Sequence, residues 1–153
     1  MPRYTPRQYG SPVPLPRALS GATDLQPGES IHRGQQVTSN DGKSVLRFQA
    51  DGNVALYVNG RAVWSTRTSG SSAQELRMQS DGNLALYDAG GLALWASGTH
   101  GYPGAFAVLQ DDGNFVIYSG TQSLWSSRAA AQHDATGRAL GTEAEVLGVL
   151  SFL

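Results

Sequence analysis

One alternating pattern, written three times, limits what this chain can fold into more than any other feature. It reads Gln49-x-Asp51-x-Asn53-x-Ala55-x-Tyr57, then Gln79-x-Asp81-x-Asn83-x-Ala85-x-Tyr87, then Gln110-x-Asp112-x-Asn114-x-Val116-x-Tyr118. The glutamines stand 30 and 31 residues apart, and Trp64, Trp95 and Trp125 follow at intervals of 31 and 30. One extra residue in the Asp88-Ala89-Gly90-Gly91 stretch accounts for both longer intervals. A repeat this short cannot bury its own apolar face, so the copies must pack on one another.

Each copy reads as β-structure. Val45-Leu46-Arg47-Phe48-Gln49 leads into Asp51-Gly52 and out through Val54-Ala55-Leu56-Tyr57. Asp-Gly between alternating apolar runs is a strong hairpin signal. It recurs at Asp81-Gly82 and Asp112-Gly113, and Asn59-Gly60 turns the first copy into a third strand ending at Trp64. Strand side chains alternate, so Asn53, Ala55 and Tyr57 share one face while Val54 and Leu56 take the other. Leu84 with Leu86, and Phe115 with Ile117, repeat that core pair. With 19 glycines and 15% charged residues, turns and short strands are favoured over helices. Three small sheets around a pseudo-threefold axis follow, with the tryptophans meeting near that axis as core residues.

These residues carry a family resemblance. Three copies of the Gln-x-Asp-x-Asn-x-Val-x-Tyr pattern, each followed by Trp-Ser or Trp-Ala, resemble the monocot-type (snowdrop-type, bulb-type) mannose-binding lectins. Leu25, Gly28-Glu29-Ser30-Ile31 and Gly34-Gln35 are similar to that family's opening strands. The resemblance covers about 105 of the 153 residues. It implies an all-β fold, a β-prism II of three four-stranded antiparallel sheets, with a calcium-independent mannose pocket on each and no cofactor. It also implies roles: Asp112 and Asn114 on the axial 2-hydroxyl, Gln110 on the 3-hydroxyl, Tyr118 on the 4-hydroxyl, and Val116 against the ring carbons. Gln79, Asp81, Asn83, Ala85 and Tyr87 correspond in the second pocket, and Gln49, Asp51, Asn53, Ala55 and Tyr57 in the first.

The residue chemistry agrees. A hexose presents hydroxyls that donate and accept, plus a patch of C–H groups. A carboxylate only accepts, carboxamides do both, and a phenol offers a hydroxyl. Turn chemistry accounts for Asp-Gly-Asn but requires neither the glutamine nor the tyrosine. Two departures stand out. Valine is kept only at Val116, so the Ala55 and Ala85 pockets are expected to be weaker by a few-fold. The disulfide common in the family cannot form in a chain without cysteine, so packing must replace it.

Other features bound the alternatives. Net charge of −1 argues against nucleic acid or an anionic membrane as partner, and no apolar run is long enough to span a bilayer. No secretory apolar region is visible at the N-terminus, so a cytoplasmic location or non-classical release is expected. His32, His100 and His133 are scattered and no nucleophile or phosphate-loop motif occurs, which argues against an enzyme. Residues 1–20 hold five of the seven prolines and read as an extended leader before a lectin domain over 21–128. In the 129–153 tail, Thr142-x-x-Glu145 marks the start of a short helix, and Val146, Leu147, Val149, Leu150 and Phe152 are costly to leave in water. By the resemblance, exchange of a C-terminal strand implies a homodimer. A lone Lys43 against ten arginines points to a high-GC bacterial source. Two other readings stay open: a bacteriocin-like lectin gripping D-rhamnose or mannose on surface glycans, and a structural prism with silent pockets.

Overall fold

Three short strands open the fold: β1 (Asp24–Leu25), β2 (Ser30–His32) and β3 (Gln36–Thr38). The first repeat then forms β4 (Ser44–Phe48), β5 (Val54–Val58) and β6 (Arg61–Ser65), and the second β7 (Ala73–Met78), β8 (Leu84–Asp88) and β9 (Ala93–Ala96). The third repeat forms β10 (Phe106–Leu109), β11 (Phe115–Ser119) and β12 (Gln122–Ser126), followed by a one-turn helix α1 (Ser127–Ala131). This computed structural model describes residues 22–131, so the Pro-rich leader and the Thr142–Leu153 segment lie outside the described residues.

The opening strands are dealt out one to each repeat. β1 joins β10-β11-β12, β2 joins β7-β8-β9, and β3 joins β4-β5-β6, giving three four-stranded antiparallel sheets. The expected β-prism is what the chain forms. Its three-sheet closure depends on the chain from Asp24 to Thr38 touching every repeat in turn.

The turn at each Asp-Gly is a three-residue loop, one longer than the dipeptide alone signals. In the first copy Gly52 N–H donates to the Gln49 carbonyl (3.1 Å) and Gln49 N–H to the Asn53 carbonyl (2.8 Å). Gly52 has φ 91° while Asp51 is not left-handed, which is a type I turn closed by a glycine bulge. The same bonds recur at Gln79–Asn83 and Gln110–Asn114. This geometry sets the glutamine and asparagine opposite one another with the aspartate at the tip.

The second hairpin absorbs the irregular spacing. Asn59 (φ 52°) and Gly60 (φ 81°) make a two-residue turn, whereas Ala89-Gly90-Gly91 makes a three-residue one closed by Gly91 N–H on the Asp88 carbonyl. Beyond it the register is unchanged: Leu56 faces Trp64, Leu86 faces Trp95 and Ile117 faces Trp125. A bulge follows at the same place in all three sheets.

Val54, Leu56, Leu84, Leu86, Phe115 and Ile117 are all fully buried, the core face expected from the alternation. On the axis the three indoles stack edge to face in a closed ring. Their centroids are 5.2, 5.4 and 5.6 Å apart and their planes are inclined by 69–73°. Ala130 and Ala131 of α1 pack against this core.

Arg33 ties the first and second repeats together. Its guanidinium donates to the main-chain carbonyls of Ala73 (2.6 Å), Ser71 (2.8 Å) and Ala50. Hydrogen bonds from a charged donor contribute about 1.5–3 kcal/mol. Arg33→Ala is therefore expected to lower stability by about that much, seen as a lower urea midpoint with an unchanged slope.

Candidate functional site

The outer face of each sheet carries one copy of the motif, and the three-residue loop fixes its geometry. Asp51 Oδ1 accepts the Asn53 main-chain N–H at 2.9 Å, Asp81 that of Asn83 at 2.9 Å, and Asp112 that of Asn114 at 3.0 Å. Each carboxylate is thereby aimed at the mouth of its site and exposed. Across the neighbouring strands the glutamine and tyrosine meet. Gln49 Nε2 donates to Tyr57 Oη at 2.5 Å, Gln110 Nε2 to Tyr118 Oη at 3.1 Å, and Tyr87 Oη donates to Gln79 Oε1 at 2.5 Å.

The asparagines are anchored from behind. Asn53 Oδ1 accepts Thr66 Oγ1 and Thr68 N–H; Asn83 Oδ1 accepts Ser97 Oγ, Gly98 N–H and Thr99 N–H; Asn114 Oδ1 accepts Ser127 Oγ and Arg128 N–H. The same hydroxyls receive the main-chain N–H of Val54, Leu84 and Phe115. Thr66, Ser97 and Ser127 are thus supports of the site that the motif alone does not reveal. Their signal is a hydroxyl residue two places after each tryptophan. With the carbonyl end held inside, the amide end of each asparagine is the part turned to the site.

The apolar position lies deeper than alternation suggests: Ala55 is 0% exposed, Ala85 1% and Val116 2%. The turn glycines are also closed in. A Cβ on Gly82 would stand 2.4 Å from the Tyr102 carbonyl oxygen, and one on Gly52 would stand 2.6 Å from that of Ser71. Both glycines have left-handed φ, so the site's turn is locked by the link leading to the next repeat.

Neither family models nor curated protein sequences match this chain, but solved structures do. The Marasmius oreades lectin superposes with a TM-score of 0.66 at 32% identity, over 73% of this chain and 95% of that one. A monomeric monocot mannose-binding lectin from Gastrodia elata gives 0.62 at 37% identity, covering 69% and 96%. This chain belongs to the monocot-type (bulb-type) mannose-binding lectin family. The mannose-specific agglutinin of snowdrop (Galanthus nivalis) is another such relative, at 38% identity and a TM-score of 0.58, covering 63% and 88%.

Within this family fold, the three sites differ in how far their polar groups are already occupied. Asp51 Oδ2 accepts Ser69 Oγ at 2.8 Å, and both oxygens of Asp81 take Gln79 Nε2 at 3.3 Å. At the third site Gln110 Oε1 is buried with no hydrogen-bond partner among the described residues. Burial, and then the Asp112 charge, push the Tyr118 hydroxyl above its usual 10.0, so it remains a protonated donor at neutral pH.

The strands beside the motif differ as well. The position two before the glutamine is Arg47, Arg77 or Val108, and the one before that on the same face is Val45, Glu75 or Phe106. Phe106 stacks on Tyr118 with centroids 5.9 Å apart. Glu75 accepts Arg77 Nε at 3.1 Å and Ser30 Oγ at 2.6 Å. Burial pushes the Glu75 carboxyl up, but these two partners outweigh it and hold it below the usual carboxylate range. At the second site a cleft of about 330 Å³ opens, lined by Gly28, Glu75, Arg77, Gln79, Ser80 and Tyr87.

Proposed function

We propose that this protein is a calcium-independent, non-enzymatic lectin that holds mannose or mannose-containing glycans in up to three shallow pockets. The observation that carries the reading is the third site. There an exposed carboxylate, a back-anchored carboxamide, a tyrosine hydroxyl and the Gln110 carboxamide, whose Oε1 has no partner among the described residues, stand together above an apolar floor. A buried acceptor without a donor costs free energy, which a hydroxyl brought by a ligand, or a water, relieves. The snowdrop agglutinin is mannose-specific and was complexed with methyl-α-D-mannoside, which favours the same ligand class here.

Asp112 and Asn114 take one sugar hydroxyl together, Gln110 a second and Tyr118 a third; Val116 backs the ring. The first and second pockets repeat these roles through Gln49, Asp51, Asn53 and Tyr57, and through Gln79, Asp81, Asn83 and Tyr87. Among the described residues no three His, Asp or Glu side chains gather as a metal site. Methyl mannoside binding is therefore expected to survive EDTA unchanged. Loss of binding by the folded protein in EDTA removes the calcium-independent reading, and absence of binding in either buffer removes the lectin reading.

Self-association through the apolar 142–153 segment is part of the same proposal. Its deletion is expected to lower the mass measured by light scattering. An unchanged mass, whether of monomer or dimer, overturns that part alone.

A further inference from the structure

The pseudo-threefold symmetry compares one position in three environments. Arg47 pairs with Ala55 across β4 and β5, and its Cζ lies 5.6 Å from the Tyr57 ring centroid. It therefore borders Ala55, Gln49 and Tyr57 on the outer face of the first sheet. Its other contact is with a neutral group, Gln36 Oε1 at 3.4 Å, and no carboxylate is paired with it among the described residues. In the second sheet the equivalent Arg77 is neutralised by Glu75 at 3.1 Å. In the third the equivalent is Val108, whose neighbour on β1 is Asp24. Arg67 and Arg128 stand three residues after Trp64 and Trp125, so the first and third sites each have one guanidinium at that offset.

We infer that the first site prefers a mannose-type residue bearing an anionic substituent, a phosphate or a carboxylate, and that Arg47 is the residue that reads it. This rests on the lectin reading above. A guanidinium offers a fork of N–H donors matched to phosphate and carboxylate oxygens. Stacking over Tyr57 orients that fork next to the motif, and with no protein carboxylate paired to it the charge is available to a ligand. The second site offers a neutral ion pair, and at the third the equivalent Val108 is buried beside the buried Asp24 and supplies no cation. The three pockets thus differ in the charge they select, though their motifs are nearly identical.

The test follows the main-chain amide signals of Asn53, Asn83 and Asn114 by NMR during titration with methyl α-mannoside, mannose 1-phosphate and mannose 6-phosphate. At low salt, at least one phosphate is expected to occupy the Asn53 site at about five- to tenfold lower concentration than the neutral sugar. No such preference is expected at Asn114. In Arg47→Val, which copies Val108, the ratio of the two affinities at the first site should fall to about one. In Glu75→Gln, which leaves Arg77 without its partner, a phosphate preference should appear at Asn83. Neutral sugar binding with no phosphate preference at Asn53, or a preference that persists in Arg47→Val, overturns this inference while leaving the lectin reading intact. Failure of methyl mannoside to bind at any of the three amides overturns both.

Discussion

Trp64→Ala is expected to destabilise the prism by about 3–5 kcal/mol, the usual cost of truncating a buried aromatic. Trp64 is 5% exposed and stands edge to face with both Trp95 and Trp125. Removing it breaks two of the three ring contacts, each contributing about 0.5–1.5 kcal/mol beyond simple burial. Total stability of a domain is of order 5–15 kcal/mol, so the loss takes a large share of it. Trp95 and Trp125 are half-buried and should cost less. Urea denaturation of the three single mutants gives the order. A Trp64→Ala protein as stable as the parent, but unable to bind sugar, would make the indoles a ligand platform instead of a core.

Asp112→Ala is the second large effect, and it concerns binding. A monosaccharide held at millimolar strength has only about −4.1 kcal/mol of binding free energy. One hydrogen bond to a charged group contributes about 1.5–3 kcal/mol, so the third site should weaken by roughly ten- to a hundredfold. Asp51 already takes the Ser69 hydroxyl, and Asp81 already takes the Gln79 amide. Those carboxylates have fewer free lone pairs and share their charge with a protein donor, so each site is expected to start weaker. Asp112→Ala should accordingly remove more of the monosaccharide signal than Asp51→Ala or Asp81→Ala. Multivalent glycans should lose less in every mutant, because linked sites share effective concentration. Calorimetric titration of the three mutants with methyl mannoside decides it, and equal losses contradict the ordering.

Much of this was legible in the sequence because the repeat supplies its own control. Period-two alternation read three times gave the core pairs, and the matched Trp spacing placed the indoles together on the axis. The extra residue at Ala89-Gly90-Gly91 was legible as a loop insertion because strand register survives only if the addition falls in a turn. Other features depend on contacts distant in sequence. Arg33 reaches carbonyls 17 to 40 residues away, and nothing local marks it as a clamp. Thr66, Ser97 and Ser127 look like ordinary strand-end hydroxyls until the asparagine behind each motif is seen to need them. The sequence also ordered the pockets by valine against alanine. With all three of those positions nearly closed to solvent, the prior commitments of the aspartates and glutamines give the stronger physical ground for the same order.

Sugar is expected to bind on the repeated motif faces while the tryptophans hold the fold. One measurement addresses both halves: a ¹H–¹⁵N spectrum followed through a methyl α-mannoside titration, reading the main-chain amides and the three indole N–H signals together. Shifts are expected first at Gly113, Asn114 and Tyr118, then at the matching residues of the other two copies, with the indole signals of Trp64, Trp95 and Trp125 unmoved. Movement of the indoles with a silent Asn114 would contradict it.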